Sequence, residues 1–138
     1  MREILFRGKR ISDGSWVYGG INKVFHPNYN HDSYRDFELQ KPNCYCICAD
    51  NKDIFVEQNT IGQQISLSDK NGKDIYEGDI LDCGKFIGVV EYDRIIAAFV
   101  IRINDSTELN EGDVARKQQI KYTKVIGNIH DNPELLEE

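Results

Sequence analysis

Residues 69–80, DKNGKDIYEGDI, are the stretch from which the fold of this 138-residue chain is predicted. Asn71-Gly72 is a strong hairpin signal, because a type I′ turn needs positive φ at both central residues. Glu77-Gly78-Asp79 marks a second reversal directly before the run ILDC at 80–83. Two reversals this close together predict a hairpin followed at once by a further strand.

The same stretch raises the question of a cation site, because it contains the carboxylates Asp69, Asp74, Glu77 and Asp79. An EF-hand loop beginning at Asp69 needs glycine at its sixth position, but Asp74 stands there and Gly72 comes at the fourth. We therefore expect Asp69 and Asp74 to be charged flanks of an exposed hairpin tip, and Glu77 and Asp79 to be bend carboxylates that bind nearby backbone amides. A distant alternative is an enzyme whose acidic cleft is assembled from Asp69, Asp79, Asp82 or Glu91.

Predicted strands recur along the chain, with turn signals about every ten residues. The run IIAAFVIRI at 95–103 has apolar residues at both odd and even positions, so both of its faces would be apolar. We therefore expect a central strand that is covered on both faces. DNPELLEE predicts a short helical turn with Asn132 as its N-cap and Pro133 at its first position. The prediction is a mainly β fold, in a single domain over residues 1–138. Its form is a small barrel or a strongly twisted antiparallel sheet, with long loops and a short C-terminal helical turn.

Residues 26–43, HPNYNHDSYRDFELQKPN, are polar and have no clean period. Loops of this length inside a compact domain are unusual and often functional. The aromatic residues of this loop form a candidate binding surface together with Trp16, which lies in the predicted second strand: Tyr29, Tyr34 and Phe37. The alternative is that these side chains pack as a flap over the sheet.

The net charge of −6 argues against a general nucleic-acid binder, because phosphate contacts need a basic stripe. The first 35 residues nevertheless carry six basic and three acidic side chains. A local nucleic-acid site is therefore an alternative, with bases stacking on Trp16 or Tyr18. Its cations would be Arg2, Arg7, Lys9, Arg10, Lys121 and Lys124.

Catalytic and metal-binding motifs are absent from the sequence. It contains no G-x-S-x-G, no phosphate-binding loop and no dinucleotide fingerprint. In a strand, Cys44, Cys46 and Cys48 would point to the same face, where we expect a row of small buried hydrophobic side chains. Their spacing is not the paired spacing of structural zinc sites. A thiolate site completed by Cys83 and a histidine is the alternative. We predict no enzyme, no catalytic residue, no metal and no cofactor.

Membrane and secretion signals are also absent. No run approaches the roughly 20 apolar residues that a membrane helix needs, and the start MREILFRGKR lacks the apolar core of a secretory signal. We therefore expect a cytoplasmic protein without a membrane partner.

Several blocks of this sequence resemble the YopX family of phage and prophage proteins. The blocks are MREILFRGKR, SWVYG, IGQQISLSDKNGKDIYEGDI, GVVEYD and VIGNIHDNPELL. The family often has a threonine-glycine-leucine step where this chain has Gln64-Ile65-Ser66-Leu67. The resemblance implies a prophage-encoded cytoplasmic protein of a host bacterium with a β-rich fold. It carries over no catalytic residues, because the family has no established biochemical activity.

Two functional hypotheses follow. The first is a non-enzymatic interaction module that binds a phage or host protein, or itself as a homo-oligomer. The second is a nucleic-acid-binding small β-barrel that serves the phage as an accessory protein.

Overall fold

The computed structural model describes residues 4–25, 43–84, 86–103, 113–114 and 120–137. These residues form eleven β-strands and two short 3₁₀ turns, which confirms a mainly β fold. The strands belong to two antiparallel sheets, neither of which closes into a barrel within the described ranges. No helix in these ranges is long and apolar enough to cross a membrane.

The chain divides into two compact units, Met1–Gly62 and Gln63–Glu138. The prediction of a single domain over residues 1–138 stays a prediction. In the first unit, neighbouring strands are hydrogen-bonded in the order β4-β3-β2-β1. Its strands are β1 (Phe6–Lys9), β2 (Trp16–Phe25), β3 (Asn43–Ala49) and β4 (Lys52–Val56), followed by a 3₁₀ turn at Gln58–Thr60.

Short-range turn chemistry connects the strands of the first unit. Between β1 and β2, the Oδ1 atom of Asp13 accepts hydrogen bonds from the backbone amide and the hydroxyl of Ser15, at 2.9 and 2.7 Å. Between β3 and β4, Asp50 and Asn51 have φ values of 52° and 62°. Positive φ at both central residues defines a type I′ hairpin turn, which suits the twist of the two strands.

Alternation along these strands places an apolar cluster on one face of the sheet. Its buried members are Val17, Ile47 and Val56. Gly8 lies on the same face, and a Cβ atom at this residue would stand 3.0 Å from the Cβ of Val56. Residues of the other parity, including Arg7 and Trp16, therefore lie on the opposite face.

The second unit contains a β5–β6 pair and a sheet in the order β10-β9-β8-β7-β11. Its strands are β5 (Gly62–Ser68), which starts at the unit boundary, β6 (Asp74–Tyr76), β7 (Asp79–Asp82), β8 (Ile87–Asp93), β9 (Ala98–Ile103), β10 (Asp113–Val114) and β11 (Lys124–Asn128). They enclose a second apolar cluster, whose buried members are Ile65, Ile75, Leu81, Val90, Ile101 and Ile120.

The predicted hairpin at 69–74 is confirmed, but its predicted turn type is wrong. Gly72 has a φ of 80°, whereas Asn71 is not among the residues with positive φ. The amide of Asp69 donates to the carbonyl of Lys73 at 2.9 Å, so the loop is wider than a two-residue turn. The Asp69 side chain binds the amides of both Asn71 and Lys73, and this holds the wider loop.

The predicted continuous strand at 95–103 is also wrong at its start. Residues 94–97 form the turn between β8 and β9, and Ile95 is 93% exposed. The reason is local: the Oδ1 atom of Asp93 accepts the amide of Ile95 at 2.8 Å, and Ala97 adopts a φ of 54°. Only the later part, Ala98–Ile103, pairs with neighbouring strands.

The predicted C-terminal helical turn is confirmed as a 3₁₀ turn at Pro133–Leu136, with proline at its start. Asn132 does not cap it through its side chain. Its Oδ1 atom instead accepts the backbone amide of Asn128 at 3.3 Å. Gly127 lies against this turn, because a Cβ there would stand 2.6 Å from the Asn132 Oδ1 and 2.9 Å from the Leu135 Cδ1.

Candidate functional site

The bend carboxylate Asp69 serves the fold. Its Oδ1 atom accepts the amides of Asn71 and Lys73, at 2.8 and 2.9 Å, and its Oδ2 atom accepts the amide of Val125 at 2.9 Å. Burial alone would raise the pKa of this carboxyl, but the three amides stabilise the charged form, so its pKa lies below the usual value. The carboxylate is therefore committed to joining the hairpin to β11.

Asp79 and Glu77 are bound to backbone amides in the same way. The Oδ2 atom of Asp79 accepts the amide of Tyr76 at 2.8 Å, and Asp79 is buried. The Oε1 atom of Glu77 accepts the amide of Gln63 at 2.9 Å. Burial raises the pKa of Glu77, which the single amide bond only partly offsets. These contacts confirm the expectation of bend carboxylates that bind backbone amides.

No group of three or more metal-ligating side chains occurs in the part of the chain that the structure describes. Cys46 and Cys48 both lie in β3 and are two residues apart, so their side chains lie on the same face of the strand, as predicted. Cys46 is fully buried, but Cys48 is exposed, so the predicted row of buried cysteines is wrong at that residue. Cys46 lies opposite Phe55 of β4, whereas Cys48 lies opposite Asp53, close to the exposed turn at Asp50.

The strongest candidate for a functional site is a group of cations and aromatic rings on β1 and β2. In the register of this pair, Arg7 lies opposite Tyr18 and Lys9 lies opposite Trp16. All four side chains are on the face opposite the first apolar cluster, since parity alternates along each strand. We call Arg7, Lys9, Trp16 and Tyr18 the Trp16 surface.

The indole ring of Trp16 contacts two cations. The Cζ atom of Arg7 is 4.7 Å from the ring centroid, and the Nζ atom of Lys9 is 5.4 Å away. Both distances are within the range of a cation–π interaction. Arg7 is buried, whereas Tyr18 is 50% exposed. The surface therefore combines a partly covered indole, an open phenol ring and positive charge.

The strand β1 is held on both of its edges, which keeps this surface in place. One edge pairs with β2. On the other, the amide of Lys9 donates to the Thr60 hydroxyl at 2.8 Å, and the carbonyl of Lys9 accepts the amide of Glu57 at 2.9 Å. Sites on such supported strands hold their side chains in more constant positions than loops do.

The remaining predicted binding residues are distributed as follows. Trp16 lies in the site, whereas Tyr29, Tyr34 and Phe37, with the 26–42 part of their loop, lie outside the described residues. Among the predicted cations, the structure brings Arg7 and Lys9 together at Trp16, and Arg2 lies outside the described residues. In the second unit, Lys121 is 5.0 Å from the ring of Tyr122.

Sequence reasoning missed one exposed apolar feature, the turn Arg94–Ala97 between β8 and β9. Ile95 and Ile96 are 93% and 50% exposed there. The signal in the sequence was Asp93, because an aspartate often accepts the amide two residues on and starts a turn. The long apolar run that follows concealed it.

Residues 5–137 of this chain match the model of a protein family that is described as YopX protein. A solved structure described as protein EF1440 from Enterococcus faecalis is similar in fold, with a TM-score of 0.54 and 21% sequence identity. The similarity covers 99% of this chain and 100% of that one. No curated protein matches the sequence.

Proposed function

Since this chain belongs to the YopX protein family, we propose that it is a non-enzymatic binding module that recognises an acidic partner protein through the Trp16 surface. As a prophage-encoded protein in the cytoplasm of the host bacterium, it would encounter phage proteins, host proteins and other copies of itself. The isolated bridge between Arg10, which follows β1, and Val56 at the end of β4 supports the finer proposal that the strands of the first unit curl toward a small barrel without closing into one.

The observation that carries this proposal is the contact of the Trp16 ring with both Arg7 and Lys9, with the half-exposed Tyr18 on the same face. Tryptophan, tyrosine and arginine are the residue types that most often supply the binding energy of protein interfaces. A carboxylate of the partner would approach Lys9, while an apolar group would cover Tyr18 and the open part of the indole. The backbone that carries Arg7 and Lys9 needs no ordering on binding, because β1 is already held on both edges.

The acids of the described residues support a binding role over a catalytic one. Asp69, Asp79 and Glu77 each accept backbone amides, so their oxygens stabilise turns. Electrostatics supports the choice of the first unit, where eight basic and eight acidic residues balance. The second unit has nine basic and fifteen acidic residues, so it accounts for all of the net charge of −6 of the chain. An acidic partner would be repelled by the second unit and tolerated by the first.

Site-specific photocrosslinking in extract of the bacterial host tests this proposal. A photoreactive phenylalanine analogue at position 16 should give a protein adduct that is absent when the same analogue stands at position 122. Tyr122 is the matched control, because it is an aromatic residue of the second unit and is 71% exposed. The adduct would be identified by mass spectrometry, and the purified partner titrated while the emission of Trp16 is followed.

This readout is direct, because Trp16 is the single tryptophan of the chain. A saturable change in emission, weakened at least tenfold by Lys9→Glu, is the expected result. The proposal is overturned if positions 16 and 122 give the same adducts. It is also overturned if the purified partner leaves the emission of Trp16 unchanged.

A nucleic-acid ligand is the second candidate, and the same contact between cations and an indole favours it. Single strands bind by stacking bases on aromatic rings beside basic side chains. Titration with oligo(dT) and oligo(rU) at low salt, followed through Trp16 emission, separates the two candidates. Low salt is the most permissive condition for phosphate binding. A flat titration there removes nucleic acid and leaves the protein partner to the crosslinking experiment.

A further inference from the structure

The turn Arg94–Ala97, which we call the hairpin tip, exposes apolar side chains where a soluble protein normally places polar ones. Ile95 is 93% exposed and Ile96 50% exposed, and Tyr92 at the base of the tip is 47% exposed. Single exposed apolar residues are common, but adjacent ones at a projecting turn usually mark an interaction site.

The hairpin tip is held in one shape by its own contacts. The Oδ1 atom of Asp93 accepts the amides of Ile95 and Ile96, at 2.8 and 3.4 Å. Beneath it, the rings of Tyr92 and Phe99 pack edge to face at 5.3 Å. A preformed tip loses little conformational entropy on binding.

Charged side chains of both signs lie around the hairpin tip. The guanidinium of Arg102 contacts the carboxylates of both Glu91 and Asp93, at 2.6 and 3.6 Å. Two carboxylates facing one guanidinium leave one uncompensated negative charge. Next to them, Arg94 is exposed and makes no ion pair with any residue in the described ranges. Each tip thus offers a positive group, a negative group and an apolar centre.

We propose that the hairpin tip binds the hairpin tip of a second copy of this chain in a twofold symmetric dimer. In a twofold interface each contact occurs twice, so Arg94 of one copy meets the acidic group around Glu91 of the other, and the reverse contact completes the pair. Ile95 and Ile96 of the two copies form the apolar centre. This inference does not depend on the Trp16 surface.

Other occupants fit less well. An anionic membrane surface offers a negative charge to Arg94 but no cation to the acidic group of Glu91 and Asp93, whereas a second hairpin tip offers both. A contact centred on one turn of four residues is small. We therefore expect a weak, exchanging dimer, with a dissociation constant on the order of 100 μM.

Sedimentation velocity of the full chain, over a concentration series that brackets this value, tests the proposal. The wild-type protein should shift from monomer to dimer as its concentration rises. Ile95→Asp should weaken this association at least tenfold without unfolding the protein, because Ile95 is almost fully exposed. Arg94→Glu should weaken it to a similar extent, and added salt should weaken the wild-type association.

Tyr122→Ser is the matched control, since it removes another exposed ring of the same unit and should leave the association unchanged. Thermal unfolding of each variant checks that it is folded. The proposal is overturned by a monomer at every concentration, or by association that Ile95→Asp does not change. It is also overturned if a monomeric wild type binds phosphatidylcholine vesicles and Ile95→Asp abolishes that binding, since the occupant is then a lipid.

Discussion

The carboxylate of Asp69 accepts a hydrogen bond from the backbone amide of Val125, 56 residues further along the chain, at 2.9 Å. The adjacent amide of Lys70 donates to the carbonyl of Thr123 at 2.9 Å. Asp69 and Lys70 together therefore attach the hairpin to the residues around the start of β11. The acidic stretch that suggested a cation site is a structural joint of the second unit.

Replacing Asp69 with alanine should destabilise the protein by about 3 kcal/mol, because three amides lose a charged acceptor and hydrogen bonds to charged groups contribute more than neutral ones. Urea denaturation measures the change in the free energy of unfolding. Asp74→Ala is the control, since Asp74 is exposed and its carboxylate accepts only a long hydrogen bond within the described residues, from the Ser68 hydroxyl at 3.4 Å. Equal effects of the two substitutions would contradict the role assigned to Asp69.

The same carboxylate should make stability depend on pH in the acid range. The pKa of Asp69 is lowered in the folded protein, so the unfolded chain takes up the proton first as the pH falls. Its contribution is complete above the ordinary pKa of 3.8 and is lost as the pH falls through the folded value. We expect the stability difference between wild type and Asp69→Asn to shrink below about pH 4. A difference that stays constant down to pH 2.5 would show that the charge is unimportant.

Glu77 should make stability depend on pH in the opposite direction to Asp69. Burial raises its pKa, so the folded protein holds the proton more tightly than the unfolded chain, and stability falls as the pH rises through the raised pKa. Glu77→Gln keeps an acceptor for the amide of Gln63 and removes the buried charge. The thermal midpoint of the variant should rise relative to that of the wild type as the pH increases above the ordinary pKa of 4.5. Glu57→Gln, at an exposed carboxylate, controls for the change in net charge.

Ser66 adopts a φ of 66°, in the left-handed region, within the irregular part of β5. Glycine is favoured there because it has no Cβ, although it also increases the entropy of the unfolded chain. Ser66→Gly should therefore stabilise the protein by about 1 kcal/mol in urea denaturation. Gly72→Ala, at a φ of 80°, should shift stability in the opposite direction.

Gly127→Ala should destabilise the protein by about 2 kcal/mol, because the new methyl group would overlap Asn132 and Leu135. The C-terminal 3₁₀ turn should move away from β11, which amide hydrogen exchange at Asn128 and Asn132 would report. Gly20→Ala is the control, since no atom lies within 4 Å of the Cβ position there and its φ is not positive. Unchanged exchange in Gly127→Ala would show that the turn does not need the glycine.

Much of the fold was predictable from neighbours in the sequence. Asn71-Gly72 marks a hairpin because the chemistry of a turn depends on a few adjacent residues. Period-two alternation identified the strands for the same reason. Prediction was wrong at Asn71 and at Ile95, where an aspartate side chain changed the geometry of the loop. Of the candidate site, Trp16, Tyr18, Arg7 and Lys9 were named from residue type, but their meeting was not predicted.

The amino-acid sequence by itself determined a strand-built chain whose acids lie at its bends, since alternation and turn formation act over a few residues. The tertiary structure alone decided that Asp69 binds Val125, that Arg7 lies over the ring of Trp16, and that Ile95 projects into solvent. Those contacts depend on the register of paired strands and on where each hairpin ends. Register is settled by packing across the sheet between residues far apart in the chain, and no local pattern records it.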